Sequence, residues 1–186
     1  MKGIIFNLLE EVVRKEHGEK MWPALLDAAQ LEGIYTSLGN YPDDDFTKLV
    51  GAASAALQLP PNEIVRWLGV QAMPLFANKY PKFFQPHTTT LSFVLTVNSI
   101  VHPEVRKLYP GAYVPEFDFE VPAPNQLTMR YRSMRRLCAL AEGFVEGAAT
   151  HFGETVAMKH PECMHRGDAH CLLEFSFSKL ETPRHV

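Results

Sequence analysis

Across Tyr109-Pro-Gly-Ala-Tyr-Val-Pro115 the hydrophobic pattern of the chain changes period, and that change limits the folds open to it. Upstream, apolar residues recur at helical spacing. Ile4, Ile5, Leu8, Leu9, Val12 and Val13 give residues 2–17 an aliphatic helix face that ends near His17 and Gly18. A second short helix covers Trp22–Ala29. Leu31 to Asp45 carries turn chemistry, and Asp44 or Asp45 is placed to cap a helix over Phe46–Leu57. Pro60-Pro61 stops that helix. Asn62 is the expected cap of a fourth, Glu63 to about Phe76, which turns Ile64, Trp67, Leu68 and Met73 inward with Pro74 near its end.

Downstream the period is two. Phe117-Asp-Phe-Glu-Val121 and Leu127–Ser133 flank a Pro-Ala-Pro-Asn turn and predict a hairpin. A helix over about Arg135–His151, apolar along Leu137, Leu140, Ala141, Phe144 and Ala148, precedes strands at Glu154–Met158 and Cys171–Phe177. The expected class is therefore α+β: a helical amino-terminal lobe plus a carboxy-terminal antiparallel four-stranded sheet with helices. With 186 residues, 46% of them hydrophobic, the chain can bury the core of one such domain. We assign that domain to residues 1–180, with 1–62 as the helical lobe, 63–180 as the lobe carrying the sheet, and 181–186 as a loose tail.

Charge and cysteine content exclude several function classes. A net charge of -3 gives no broad basic surface for nucleic acid, and the short cluster Arg130–Arg136 is better suited to a single anion site. The amino-terminal apolar run is cut at Glu10 without a small-residue cleavage site, so no signal peptide is read, and no window approaches a membrane span. Three cysteines without a secretory signal point to a reducing, cytoplasmic setting and to thiol or metal chemistry.

The candidate site centres on His102, at the end of an apolar helical run from Leu91 to Val105 and directly before Pro103. Leu91, Leu95, Asn98 and His102 share one face at spacings of three and four, which points the imidazole inward. Taken alone, such a histidine is a core residue with satisfied hydrogen bonds. Tyr131, Ser133 and Arg135 change its meaning: at a strand's period they face one side and form a grip for carboxylates.

A helical first half, a histidine followed by proline, and Tyr-x-Ser-x-Arg after a hairpin together resemble the haem nitric oxide/oxygen-binding (H-NOX) family over nearly the whole chain. The resemblance implies the H-NOX fold with a ferrous haem b buried between the lobes. His102 would then be the axial iron ligand, and Tyr131, Ser133 and Arg135 the partners of the propionates. It also places Pro115 against the porphyrin, although a proline after Gly111 equally suits a turn. Dioxygen-binding relatives carry a distal tyrosine where this chain has Leu140. With Ile5, Leu9, Met73 and Phe144 as apolar neighbours, the pocket is expected to lack a donor, to bind nitric oxide and carbon monoxide, and to discriminate against dioxygen.

A second cluster combines Cys138, His160, Cys163 and Cys171. Three soft thiolates and an imidazole make a common structural zinc set, with His165 and His170 as rival nitrogen ligands; the alternative is buried free thiols, with a Cys163–Cys171 disulfide as their redox variant. No paired carboxylates or phosphate-binding loop suggest catalysis, and no distal acid or base is visible, so a non-enzymatic receiver is expected. Its output would pass to a separate histidine kinase or diguanylate cyclase, as in free-standing bacterial relatives. The alternative is a zinc-stabilised regulatory domain that takes a non-haem apolar ligand.

Overall fold

The computed structural model describes residues 1–180; the segment 181–186, expected to be a loose tail, lies outside the described residues. Four helices build the amino-terminal part: α1 (Gly3–His17), α2 (Met21–Ala29), α3 (Asp43–Leu57) and α4 (Pro61–Lys79). Phe6, Leu9, Val12, Trp22, Phe46 and Leu68 are among the buried side chains that join them. Two of the expected caps are corrected. Pro42 precedes α3 without any side-chain cap, so Asp44 and Asp45 sit with Asp43 inside the first turn, where negative charge favours the helix dipole. Asn62 likewise lies inside α4: Pro60 is the cap, and Pro61 takes the first helical position, which needs no N–H. The helix also runs past Pro74 to Lys79 rather than ending near Phe76.

The expected His102 helix is broken into pieces. Short helices α5 (Pro81–Phe84) and α6 (Thr90–Val94) are followed by a π-helical turn, Val97–Val101, and then by α7 (His102–Leu108). Pro103 supplies the reason. It has no N–H for the Ser99 carbonyl and its ring crowds that carbonyl, so regular α-helix cannot run through this turn. Thr96 adds to the break, because its hydroxyl donates to the Phe93 carbonyl at 2.7 Å while its own carbonyl accepts from both Ile100 and Val101. The extra residue turns the predicted face. Leu95 is left 39% exposed, and Asn98 reaches sideways to donate to the Phe117 carbonyl at 2.6 Å.

Beyond residue 115 lie β1 (Glu116–Glu120), β2 (Gln126–Arg132), α8 (Cys138–His151), β3 (Glu154–Glu162), a short 3-10 turn at Met164–Arg166, and β4 (Cys171–Lys179). They form one antiparallel sheet in the order β1-β2-β4-β3. Leu127, Met129 and Tyr131 of β2 alternate inward, as do Cys171, Leu173, Phe175 and Phe177 of β4, giving the sheet a single buried face. α8 lies between that sheet and α4 and meets α4 at backbone contact. A methyl added at Gly143 would stand 2.0 Å from the Arg66 carbonyl oxygen. Arg66 of α4 and Glu146 of α8 close the same seam with an ion pair. Among the described residues no helix is long and apolar enough to cross a membrane.

Candidate functional site

Between the α1–α4–α8 packing on one hand and the α6–α7 arm with β1 and β2 on the other, the chain leaves a mostly apolar cavity of about 330 Å³. That falls in the ~300–1,000 Å³ range of small-molecule sites. His102, Pro115, Tyr131, Ser133, Arg135, Ile5, Met73, Leu140 and Phe144 all line it. Leu9 does not. It is 4% exposed within the amino-terminal core, and α1 presents Ile4 and Ile5 to the cavity in its place.

His102 starts α7 and stacks on Phe117 at 5.6 Å between ring centroids. Burial, reinforced by the nearby Arg106 cation, lowers its pKa to about 4. At neutral pH it is therefore an uncharged imidazole with a nitrogen lone pair to offer, the form that binds iron.

The three anion-binding candidates share the cavity rim, but not one strand. β2 ends at Arg132; Ser133 follows it, and Arg135 lies in the turn that leads to α8. Arg136 takes left-handed backbone with φ 51°, which brings the chain round and delays the helix to Cys138. Tyr131 is pinned to that turn, since its hydroxyl accepts from the Leu137 amide at 2.8 Å, leaving the phenolic proton free to donate. Burial pushes its pKa up to about 12, so it stays a donor. The Ser133 hydroxyl accepts from the Arg135 amide at 3.2 Å and likewise keeps its proton. The Arg135 fork is less free than the sequence suggests. Its Nε donates to Asp43 Oδ2 at 2.8 Å and its Nη1 to the Tyr113 carbonyl at 2.9 Å, with the Tyr113 ring 5.0 Å away. Burial of Asp43 works to raise its pKa, but Arg135 and the amino terminus outweigh that and hold the carboxyl below its usual range. Asp43, absent from the sequence-level set, thus ties the anion site to α3.

The wall contributed by α1, α8 and α4 up to Phe76 consists of Ile4, Ile5, Met73, Phe76, Leu140, Ala141, Phe144 and Val145, none of which carries a side-chain N–H or O–H donor. The cavity as a whole is not donor-free. Tyr80, at the end of α4, and Tyr109, just after α7, also line it, and their hydroxyls meet at 2.9 Å. Burial first, and Tyr80 second, raise the Tyr109 pKa to about 12. Their long sequence separation hid this pair.

Away from the cavity, one ligand atom from each of Cys138, His160, Cys163 and Cys171 lies within 4.8 Å of every other. Cys163 Sγ is 4.0 Å from Cys138 Sγ and 3.9 Å from Cys171 Sγ. A disulfide needs about 2.05 Å. Two thiolates on a tetrahedral zinc with bonds of about 2.3 Å sit roughly 3.8 Å apart. All three cysteines are free, and burial raises the pKa of Cys138 and Cys171. A bound cation reverses that preference by drawing thiolates. Of the rival histidines, His165 faces the Arg136 carbonyl at 2.7 Å and His170 pairs with Glu162 at 3.1 Å. His160 Nε2 is buried without a hydrogen-bond partner among the described residues, the state of a nitrogen that lacks its ligand.

Comparison with known proteins adds to this geometry. A family model described as haem-NO-binding matches residues 2–160. An H-NOX protein from S. oneidensis solved in its Fe(II)NO ligation state is 32% identical, with a TM-score of 0.89 over 96% of this chain and 100% of that one. The H-NOX domain from Shewanella oneidensis in the Fe(II)CO state is likewise 32% identical, with a TM-score of 0.86 over 96% of this chain and 99% of that one. The unliganded Fe(II) H-NOX protein from K. algicida, 24% identical with complete coverage of both chains, shares the fold at a TM-score of 0.85. No curated protein sequence matches the chain.

Proposed function

The chain belongs to the haem-NO-binding (H-NOX) family, which comprises haem-based gas sensors, and on that premise we propose that it is a nitric oxide sensor that excludes dioxygen. One observation carries the reading: a neutral, half-buried histidine on the wall of an apolar cavity whose rim holds an arginine and two hydroxyl donors. This donor set fits haem. His102 would supply the nitrogen that binds iron, while Arg135, Tyr131 and Ser133 would meet the propionates and Pro115 would lie against the macrocycle. Bound there, the haem supplies a ferrous iron able to take a diatomic gas. Nitric oxide and carbon monoxide, the ligands of the Shewanella proteins, are the ones we propose for this chain.

Selectivity follows from the apolar wall. Bound dioxygen carries partial negative charge that an O–H or N–H donor stabilises, and Leu140 with Ile5, Met73 and Phe144 offers none. The same wall has no acid or base for oxygen chemistry, which favours a receiver over an enzyme. α7, which carries His102, would be the element through which the bound haem's state reaches the surface, to be read by a separate histidine kinase or diguanylate cyclase in the cytoplasm. Such a partner must bind the two states with affinities that differ by about 1–3 kcal/mol. We further propose that Cys138, His160, Cys163 and Cys171 hold a structural zinc, and that residues 1–180 act as one unit, with lobes at 1–62 and 63–180.

Absorbance of the purified ferrous protein tests the central reading. The expected result is a Soret band that shifts with nitric oxide and with carbon monoxide and is unchanged by air. A stable oxy spectrum would remove the selectivity argument. A protein that takes up no haem would favour a zinc-stabilised regulatory domain with another apolar ligand in the same cavity.

A further inference from the structure

Behind the three thiols and the imidazole stands a fifth group. Glu142 is 8% exposed and lies one helical turn beyond Cys138 on α8, so both face the same corner of the sheet. Its Oε1 is 2.6 Å from His160 Nδ1. An imidazole that donates to a carboxylate through Nδ1 presents the lone pair of Nε2, and here Nε2 is the buried nitrogen without a partner among the described residues, on a ring that has a nitrogen within 4.8 Å of all three sulfurs.

We propose that Glu142 is the positioning residue of this metal centre: it fixes the tautomer and ring orientation of His160 so that Nε2 points at the three thiolates. The inference rests on the zinc reading above. A plain ion pair is the competing account, and the geometry disfavours it. Were His160 a cation, Nε2 would carry a buried N–H with only sulfur to receive it, and a buried charged donor left in that state is costly. A carboxylate behind a neutral, metal-bound imidazole satisfies both ring nitrogens and strengthens the ligand. It also joins the metal corner to the cavity wall, since Leu140, Ala141 and Phe144 line the cavity from the same helix turns that carry Cys138 and Glu142.

The test uses the haem-loaded protein with Glu142→Ala and Glu142→Gln. Zinc content, zinc affinity by competition with a chromophoric chelator, and the visible spectrum after cobalt(II) substitution are read on each. The parent should hold one zinc and give the intense d–d bands of a tetrahedral thiolate site. Glu142→Ala should lower affinity by about 10- to 100-fold and alter the cobalt bands as His160 loosens. Glu142→Gln, whose amide oxygen still accepts from Nδ1, should lose less, and it carries the test if the alanine variant fails to fold. A parent that binds zinc while both variants match it in affinity and cobalt spectrum overturns the role of Glu142. A parent that binds no zinc overturns the metal reading itself.

Discussion

Gly143→Ala should separate the two helices that make the donor-free wall. A methyl there would sit 2.0 Å from the Arg66 carbonyl oxygen and 3.0 Å from Gly69 Cα, and both are backbone atoms that cannot rotate away. Ordinary C···O contacts lie near 3.3 Å, so α4 and α8 would have to part by about 1.3 Å. Over-packing of this kind costs about 1–3 kcal/mol. The better helix propensity of alanine returns up to about 1 kcal/mol, and the rigidity of the opposing backbone puts the cost at the high end of its range. A net loss on the order of 2 kcal/mol lowers Tm by roughly 4–8 °C in a chain of this size. Gly51→Ala in α3 is the matched control, because nothing lies within 4 Å of its added methyl, and it should hold or raise Tm. Thermal unfolding at equal haem loading gives the comparison. The carbon monoxide stretch of Gly143→Ala should also broaden or shift as the wall carrying Met73, Leu140 and Phe144 loosens. A Tm for Gly143→Ala at or above the parent's would refute the close-contact account of this seam.

Replacing His102 with glycine should abolish stable haem uptake, with free imidazole restoring it; uptake and a nitric oxide spectrum unchanged by the substitution would discard the axial assignment. Leu140→Tyr places a phenol on the apolar wall and should convert an air-inert ferrous protein into one with a measurable oxy spectrum, seen by absorbance under oxygen. In the haem-free protein the folded chain keeps His102 neutral down to about pH 4, whereas the unfolded chain protonates it near its ordinary value of 6.5. Stability should thus fall as pH drops through that window, by up to about 3 kcal/mol, and a urea titration of His102→Gln should show that part of the slope removed. Asp43→Asn loosens Arg135 from α3, and haem affinity measured by transfer to apomyoglobin should change while the fold by circular dichroism does not.

The change of hydrophobic period at residues 109–115 was enough to divide helices from sheet, because amphipathic faces are written in local spacing. Of the ten residues proposed for the haem site, nine line the cavity; helical spacing pointed to His102, while Pro115 and Leu140 came only from the family resemblance. What escaped has a physical cause in each case. The break before His102 depends on Pro103 disrupting a helix that the apolar spacing alone continues. Arg135 left the strand because Arg136 adopts left-handed backbone, which its identity does not announce. Asp43 and the Tyr80–Tyr109 pair are contacts between distant segments, invisible to any pattern along the chain. Glu142 could have been found, since it follows Cys138 by one turn of a helix already drawn, but a buried acid reads as an ordinary surface residue until its partner is known.

The elements around the cavity differ sharply in how firmly they are held, and that difference sets where a gas signal can travel. α4 and α8 touch through backbone and bury much of their length, so displacing either costs core packing. By contrast, neither the π-helical turn nor α7 contains a buried residue. That arm depends on a few specific contacts: Asn98 donating to the Phe117 carbonyl, the His102 ring on Phe117, and the Tyr109 hydroxyl against that of Tyr80. Segments with so little buried surface move at the low end of the free-energy scale. On the proposed assignment His102 therefore stands on the part of the cavity that can shift at least cost, facing a wall that cannot. Loss of the Tyr80–Tyr109 contact should bias the arm toward its released position even without gas. Tyr80→Phe keeps the ring and removes one hydroxyl, so it should raise hydrogen exchange across 97–109 while leaving α4 and α8 protected. Equal exchange in both proteins would mean that the arm is held by packing rather than by this pair.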